Sequence, residues 1–164
     1  MARETRAALA LLAATIGGAA LAASPAAPHT HSYLRIDGVL GASDDPNHLG
    51  WFDVAGWSPA APTPDGRAVA RIRITGAPPP DLATVVATHR KLHEALLQDV
   101  RAADGGLVRN VSFWQFVITG LEPGKAPARS YAVTLQATHV VCDDYGPPPE
   151  NGGPCASLRT AQHP

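Results

Sequence analysis

Neither sign of charge is in surplus in this 164-residue chain: 13 Lys plus Arg stand against 14 Asp plus Glu. Without a basic excess there is nothing to grip a phosphate backbone, so nucleic acid is not an expected partner. Cysteine is scarce as well. Two residues exclude a multi-disulfide scaffold and a Cys-rich metal site. The apolar fraction of 45% is diluted by alanine, with 30 Ala in all and 12 of them in the first 27 residues. Gly and Pro number 15 and 16, which is below the level of a wholly disordered chain and enough for many turns. The length accommodates one domain and not two.

The N-terminus has the layout of an export signal. Arg3 and Arg6 form a positive start, weakened by Glu4, and an apolar stretch runs from Ala7 to Ala22 with Gly17 and Gly18 inside it. Ala20-Leu21-Ala22 then places small residues where a signal peptidase reads. The alternative is an uncleaved anchor, for which this Ala-rich stretch is short and weakly apolar. Residues 1–22 are therefore expected to be a signal peptide, giving a secreted or periplasmic bacterial protein with no stable membrane anchor after cleavage. The mature chain would carry 11 basic and 13 acidic residues, since Arg3, Arg6 and Glu4 are removed. An exported chain can keep a disulfide, and Cys142 and Cys155 are the two available. Closing that loop would stabilise by about 3 kcal/mol. The alternative is two free thiols in a Pro/Gly-rich tail, residues 142–164.

Residues 23–32 have linker composition. From Tyr33, Leu34 and Ile36 alternate with Arg35 and Asp37, a strand period. Turn residues follow from Gly38 to His48. A strand over Trp51–Trp57 would set Phe52 and Val54 on one face and Trp51 and Trp57 on the other, ended by Pro59, Pro62 and Pro64. Ala68 to Thr75 alternates again. Pro80 to His89 reads as a helix with Asp81 as N-cap. Leu92, Leu96 and Val100 stand four apart, so local spacing alone would carry that helix to Ala103. Val108–Thr119 and Tyr131–Val141 read as long strands, the first entered through a Gly105-Gly106 turn. Such strands bury themselves as a small barrel or sandwich.

Ile36-Asp37-Gly38, then Gly41, Ser43 and His48, then Gly50-Trp51, Val54 and Trp57-Ser58 together resemble the opening of the Hcp family, the tube protein of bacterial type VI secretion systems. The resemblance spans Tyr33 to Val141, with specific motifs in its first half and agreement of element order in its second. It implies a mainly β fold: a small antiparallel β-barrel with one flanking α-helix, over residues 33–141. It also implies an extended segment from Glu94 to Ala102, paired across Gly105-Gly106, in place of a longer helix. For function it implies a non-enzymatic structural protein that forms a homohexameric ring and holds small effector proteins. The usual tube protein is made without a signal peptide, and the Cys-bounded tail is an addition. A secreted monomeric binding module that reuses the barrel is the alternative.

Chemistry has little to stand on. None of the seven His lies in a local catalytic signature, and no Ser has a Gly-x-Ser-x-Gly frame. His29 and His31, with Asp44, Asp45 and His48, form the best metal-like group, but His29 and His31 fall in a linker and no third ligand is fixed. His89 and His93 would share a face only on a continued helix. Asn110-Val111-Ser112 fits a glycosylation pattern at a strand entry. Trp51, Trp57 and Trp114 are either core or an outer apolar face. No catalytic, metal or cofactor residue is assigned, and no cofactor is expected.

Overall fold

The computed structural model describes residues 29–124, 129–146 and 153–160, the side chains of 159 and 160 apart. The expected signal peptide, 1–22, and residues 23–28 of the expected linker lie outside the described residues. Six strands appear in chain order: β1 (Thr30–Ile36), β2 (Phe52–Ala60), β3 (Ala68–Thr75), β4 (Leu92–Arg101), β5 (Leu107–Pro123) and β6 (Ser130–Asp144). Two short helices accompany them, α1 (Pro80–Ala87) between β3 and β4 and α2 (Gly153–Thr160) after β6. The strands form a closed antiparallel barrel in the order β1-β2-β3-β6-β5-β4. Pairing of β1 with β4, from Thr30 opposite Arg101 to Ile36 opposite Ala95, shuts the ring. Closure removes the free edges that an open sheet of these strands would present.

Alternation decides which side chains fill the interior. Leu34, Ile72, Leu97, Phe113, Ile118 and Leu135 are all fully buried, each one member of a period-two row. The residues between them in β3, Arg71 and Arg73, are exposed. The segment with helical spacing is a strand, as the family resemblance implies: β4 buries Leu92, Ala95 and Leu97 while Leu96 stays half-buried on the outside. Tertiary pairing across the hairpin, Ala95 with Phe113 and Leu97 with Val111, outweighs a helical spacing of three residues.

Helix α1 is two residues shorter than its sequence indicates. Pro79 is the N-cap and Pro80 opens the helix, where its missing N–H costs nothing; Asp81 sits in the first turn instead of capping it. Thr88 ends it by donating its N–H to the Thr84 carbonyl, and His89, which donates to the Val86 carbonyl, turns away at φ 47°. Strand β2 differs more. It runs through Pro59 to Ala60, because β1 pairs with it only up to Val54, and a strand lacking a neighbour on one side tolerates proline. A bulge between Val54 and Gly56 shifts its register. Trp57 then stands opposite Ile72, as Val54 stands opposite Ile74, and both pack against the core. The expectation that Trp57 shares a face with Trp51 is thereby corrected: one extra residue reverses every side chain after it.

Candidate functional site

The motif residues occupy the long β1–β2 connection and its flanks. Ile36 is core, 2% exposed, and Gly38 takes φ 74° to turn the chain after Asp37, bringing Val39 back to bridge Ile36. The loop is then stitched to the start of β2: Gly41 N–H donates to Gly50 O at 2.7 Å and Ser43 N–H to Trp51 O at 2.8 Å. A Cβ at Gly41 would collide with the Trp51 carbonyl, which explains a glycine there. Ser43 is buried, and its hydroxyl receives the Asp45 N–H.

His48 is the pin of this loop. It is 8% exposed, stacked on Tyr33 with ring centroids 3.9 Å apart and meeting the edge of Trp51 at 5.0 Å. Its Nδ1 lies 2.9 Å from Asp45 Oδ1 and its Nε2 lies 3.3 Å from Gln98 Oε1. The hydrogen bond from His48 holds the Asp45 carboxyl below the ordinary carboxylate range. Gln98 continues to Asn110 at 3.2 Å, so the loop is tied through β4 to β5. Arg35 lies over the Trp51 ring at 5.6 Å and pairs with Glu94 at 2.8 Å. The loop residues are thus fixed on the outer face of β1 and β4. Two exposed leucines project from it, Leu40 at 78% and Leu49 at 68%. Val54 faces the core, Gly50 takes φ 75° and Ser58 is exposed on β2.

The metal-like grouping does not assemble. His31 points outward from β1 while His48 is buried under the loop, and among the described residues no three His, Cys, Asp or Glu side chains converge on a metal-sized site. His93 meets the edge of Trp114 at 5.3 Å on the outer face, apart from His89. Asn110 takes part in β5, with its side chain accepting from Gln98. The three tryptophans part company: Trp57 turns inward, Trp51 underlies His48, and Trp114 lies half-buried on the outer face.

A polar cluster that the sequence analysis missed fills one mouth of the barrel. Asp99, 5% exposed, accepts from Ser32 Oγ at 2.6 Å, Trp57 Nε1 at 3.3 Å and Arg109 at 2.9 Å. Arg109 also donates to Asp144 at 2.6 Å and lies over the Trp57 ring at 5.8 Å. The signal was present: Asp99 and Arg109 fall on the inward rows of two strands joined by a hairpin, directly opposite each other. The bulge in β2, which sends Trp57 inward, is what completes the cluster.

The disulfide between Cys142 and Cys155 is formed, with Cα atoms 5.4 Å apart. It fastens α2, where Cys155 and Leu158 are buried in the core cluster. Burying Leu158 contributes about 2 kcal/mol, less than the roughly 3 kcal/mol of the cross-link, so the covalent bond is the stronger fastening. The opposite mouth is apolar. There Leu82 and Val85 of α1 are buried, and Tyr131, 2% exposed, has a hydroxyl without a hydrogen-bond partner. Burial pushes its pKa up to about 12.

This combination, a closed six-stranded antiparallel barrel with a short helix between its third and fourth strands, defines an Hcp-like fold. Hcp1 from Salmonella typhimurium superposes with a TM-score of 0.62 at 18% identity, over 71% of this chain and 86% of that one. A type six secretion system protein gives 0.58 at 18% identity, over 76% and 88%. The secreted protein Hcp3 from Pseudomonas aeruginosa gives 0.55 at 15% identity, over 73% and 100%. By sequence, no family model matches the chain and no curated protein matches it. Among the described residues, no helix is long and apolar enough to cross a membrane.

Proposed function

We propose that this protein is an exported, non-enzymatic Hcp-like building block that assembles with copies of itself, as a homohexameric ring, and carries small partner proteins. In this reading residues 1–22 are removed on export, 23–29 form a linker, 30–144 make the barrel domain, wider at both ends than its sequence indicates because β1 starts at Thr30 and β6 ends at Asp144, and 145–164 form a tail tied back by the disulfide, in the periplasm or the medium. The observation that carries it is a barrel whose interior is filled by its own side chains, from Leu34 to Phe116. With its interior occupied by these side chains, the barrel meets other molecules through its outer surface. That surface offers apolar material in fixed positions: Leu40 and Leu49 on the pinned loop, and Val141, 41% exposed, in register with Leu96 through Ser112. Exposed apolar groups on a rigid frame mark contact surfaces between proteins.

Light scattering on the chain lacking residues 1–22 tests this reading. A hexamer is expected, and a strict monomer at high concentration would overturn the ring. Leu40→Glu combined with Leu49→Glu should abolish assembly while leaving the melting temperature of the barrel within about 3 °C, because neither side chain is buried. The covalently fastened α2 favours a second reading, a secreted monomeric binding module, and a monomer in the same measurement would select it.

A further inference from the structure

We propose that α2 is a plug released by reduction: opening the Cys142–Cys155 bond frees α2 from the barrel wall while the six-stranded barrel stays folded. The wall has a seam that β3 does not cover. β3 accompanies β6 from Ser130 to Ala137 and no further, while β6 continues to Asp144 along β5. Helix α2 sits against β6 and β2, the two strands that flank β3. Of its described side chains, Cys155 and Leu158 are buried, whereas Ala156 and Ser157 are exposed.

Eight residues of helix do not persist alone in water, so α2 depends on what fastens it. The barrel does not depend on α2 in the same way. Every strand is paired on both sides over part of its length, and buried Asp99 and half-buried Arg109 and Asp144 are satisfied by each other, Ser32 and Trp57.

The chemistry is thiol–disulfide exchange with a dithiol. One thiolate of the reductant attacks a protein sulfur, forming a mixed disulfide and expelling the other cysteine as thiolate. The second thiol of the reductant then closes on its partner, so the protein gains two thiols and the dithiol leaves as a cyclic disulfide. Cys142 and Cys155 are 4% and 1% exposed, which shields both sulfurs from a reductant while α2 is docked. Reduction therefore proceeds through transient opening of α2 about the intact bond, lasting release follows once the bond is cut, and an oxidising compartment keeps the bond closed.

Hydrogen exchange with mass spectrometry on the full chain, before and after complete reduction by dithiothreitol, tests the proposal, with alkylation confirming two free thiols. Amides of residues 157–160 are expected to exchange at least about tenfold faster after reduction, while those of β4 and β5 keep their protection. Unchanged protection of α2 in the reduced chain would overturn the proposal, and so would loss of protection throughout β4 and β5. In a second arm, Leu158→Ala should speed reduction by about tenfold or more at low dithiothreitol, because the docked state loses its apolar anchor. An unaltered rate would show that lifting of α2 does not gate the bond. A Leu158→Ala chain that fails to fold would equally overturn the proposal, since the plug would then be part of what holds the barrel together.

Discussion

The two mouths of the barrel are closed by different physics. At one, α1 is built into the chain between β3 and β4, and it seals with Leu82, Val85 and the ring of Tyr131. At the other, a carboxylate–guanidinium–carboxylate cluster of Asp99, Arg109 and Asp144 fills the opening, and α2 is fastened nearby by a disulfide. The apolar mouth gains from burial alone and tolerates one unpaired hydroxyl. The polar mouth holds Asp99 out of water with Arg109 and Asp144 half-buried beside it, which succeeds only while each charge has its counterpart. Apolar closure should therefore fail gradually on mutation and polar closure abruptly.

The largest expected effect is at the polar mouth. Arg109→Ala leaves Asp99 buried without a counter-charge and should cost about 4 kcal/mol, read as a drop of more than about 15 °C in melting temperature. Replacing all three charges, Asp99→Leu with Arg109→Met and Asp144→Asn, should return stability to within about 1 kcal/mol of the parent. A triple variant as unstable as the single one would mean that the cluster stabilises by more than mutual neutralisation. Next comes the apolar mouth, where Leu82→Ala should cost about 3 kcal/mol in chemical denaturation, with no partner change able to restore it except refilling the space. The smallest effect belongs to Tyr131→Phe. Removing an unpartnered hydroxyl should be neutral or stabilise by up to about 1 kcal/mol.

The same tyrosine also supplies a pH signature. Its folded pKa is raised to about 12, from an ordinary value of 10.0. Between those values the unfolded chain has lost a proton that the folded chain still holds, so stability falls as pH rises from about 10 to about 12. Denaturation midpoints across that window should decline more steeply in the parent than in Tyr131→Phe. Parallel declines would mean that Tyr131 is not what titrates.

Much of this was readable in the order of residues. The Ala68–Thr75 strand coincides with β3, because strict alternation between a buried and a solvated face needs no knowledge of partners. The motif from Ile36 to Ser58 pointed to the barrel, and its glycines and His48 explain themselves as loop geometry once Tyr33, Trp51 and Gln98 are seen around them. Pairing of Cys142 with Cys155 was accessible as well, since two cysteines allow one intramolecular bond. Three things were not readable. The bulge in β2 that turns Trp57 inward leaves no local mark, because Val54-Ala55-Gly56 alternates acceptably in either register. Strand β4 has helical spacing locally, so only the family resemblance pointed to a strand there, and pairing with β5 is what makes it one. Helix α2 has Pro154 at its start and eight residues in all, too little to announce itself, and it exists where a cross-link and Leu158 hold it.

By itself, then, the sequence determined the alternation that makes a barrel and the one disulfide its cysteines permit. Those are properties of nearest neighbours along the chain, or of counting. Only the tertiary structure decided that Trp57, Asp99, Arg109 and Asp144 meet in one mouth, and that α2 lies against the seam beyond β3. Both depend on strand register, which one inserted residue can reverse and which no local pattern encodes.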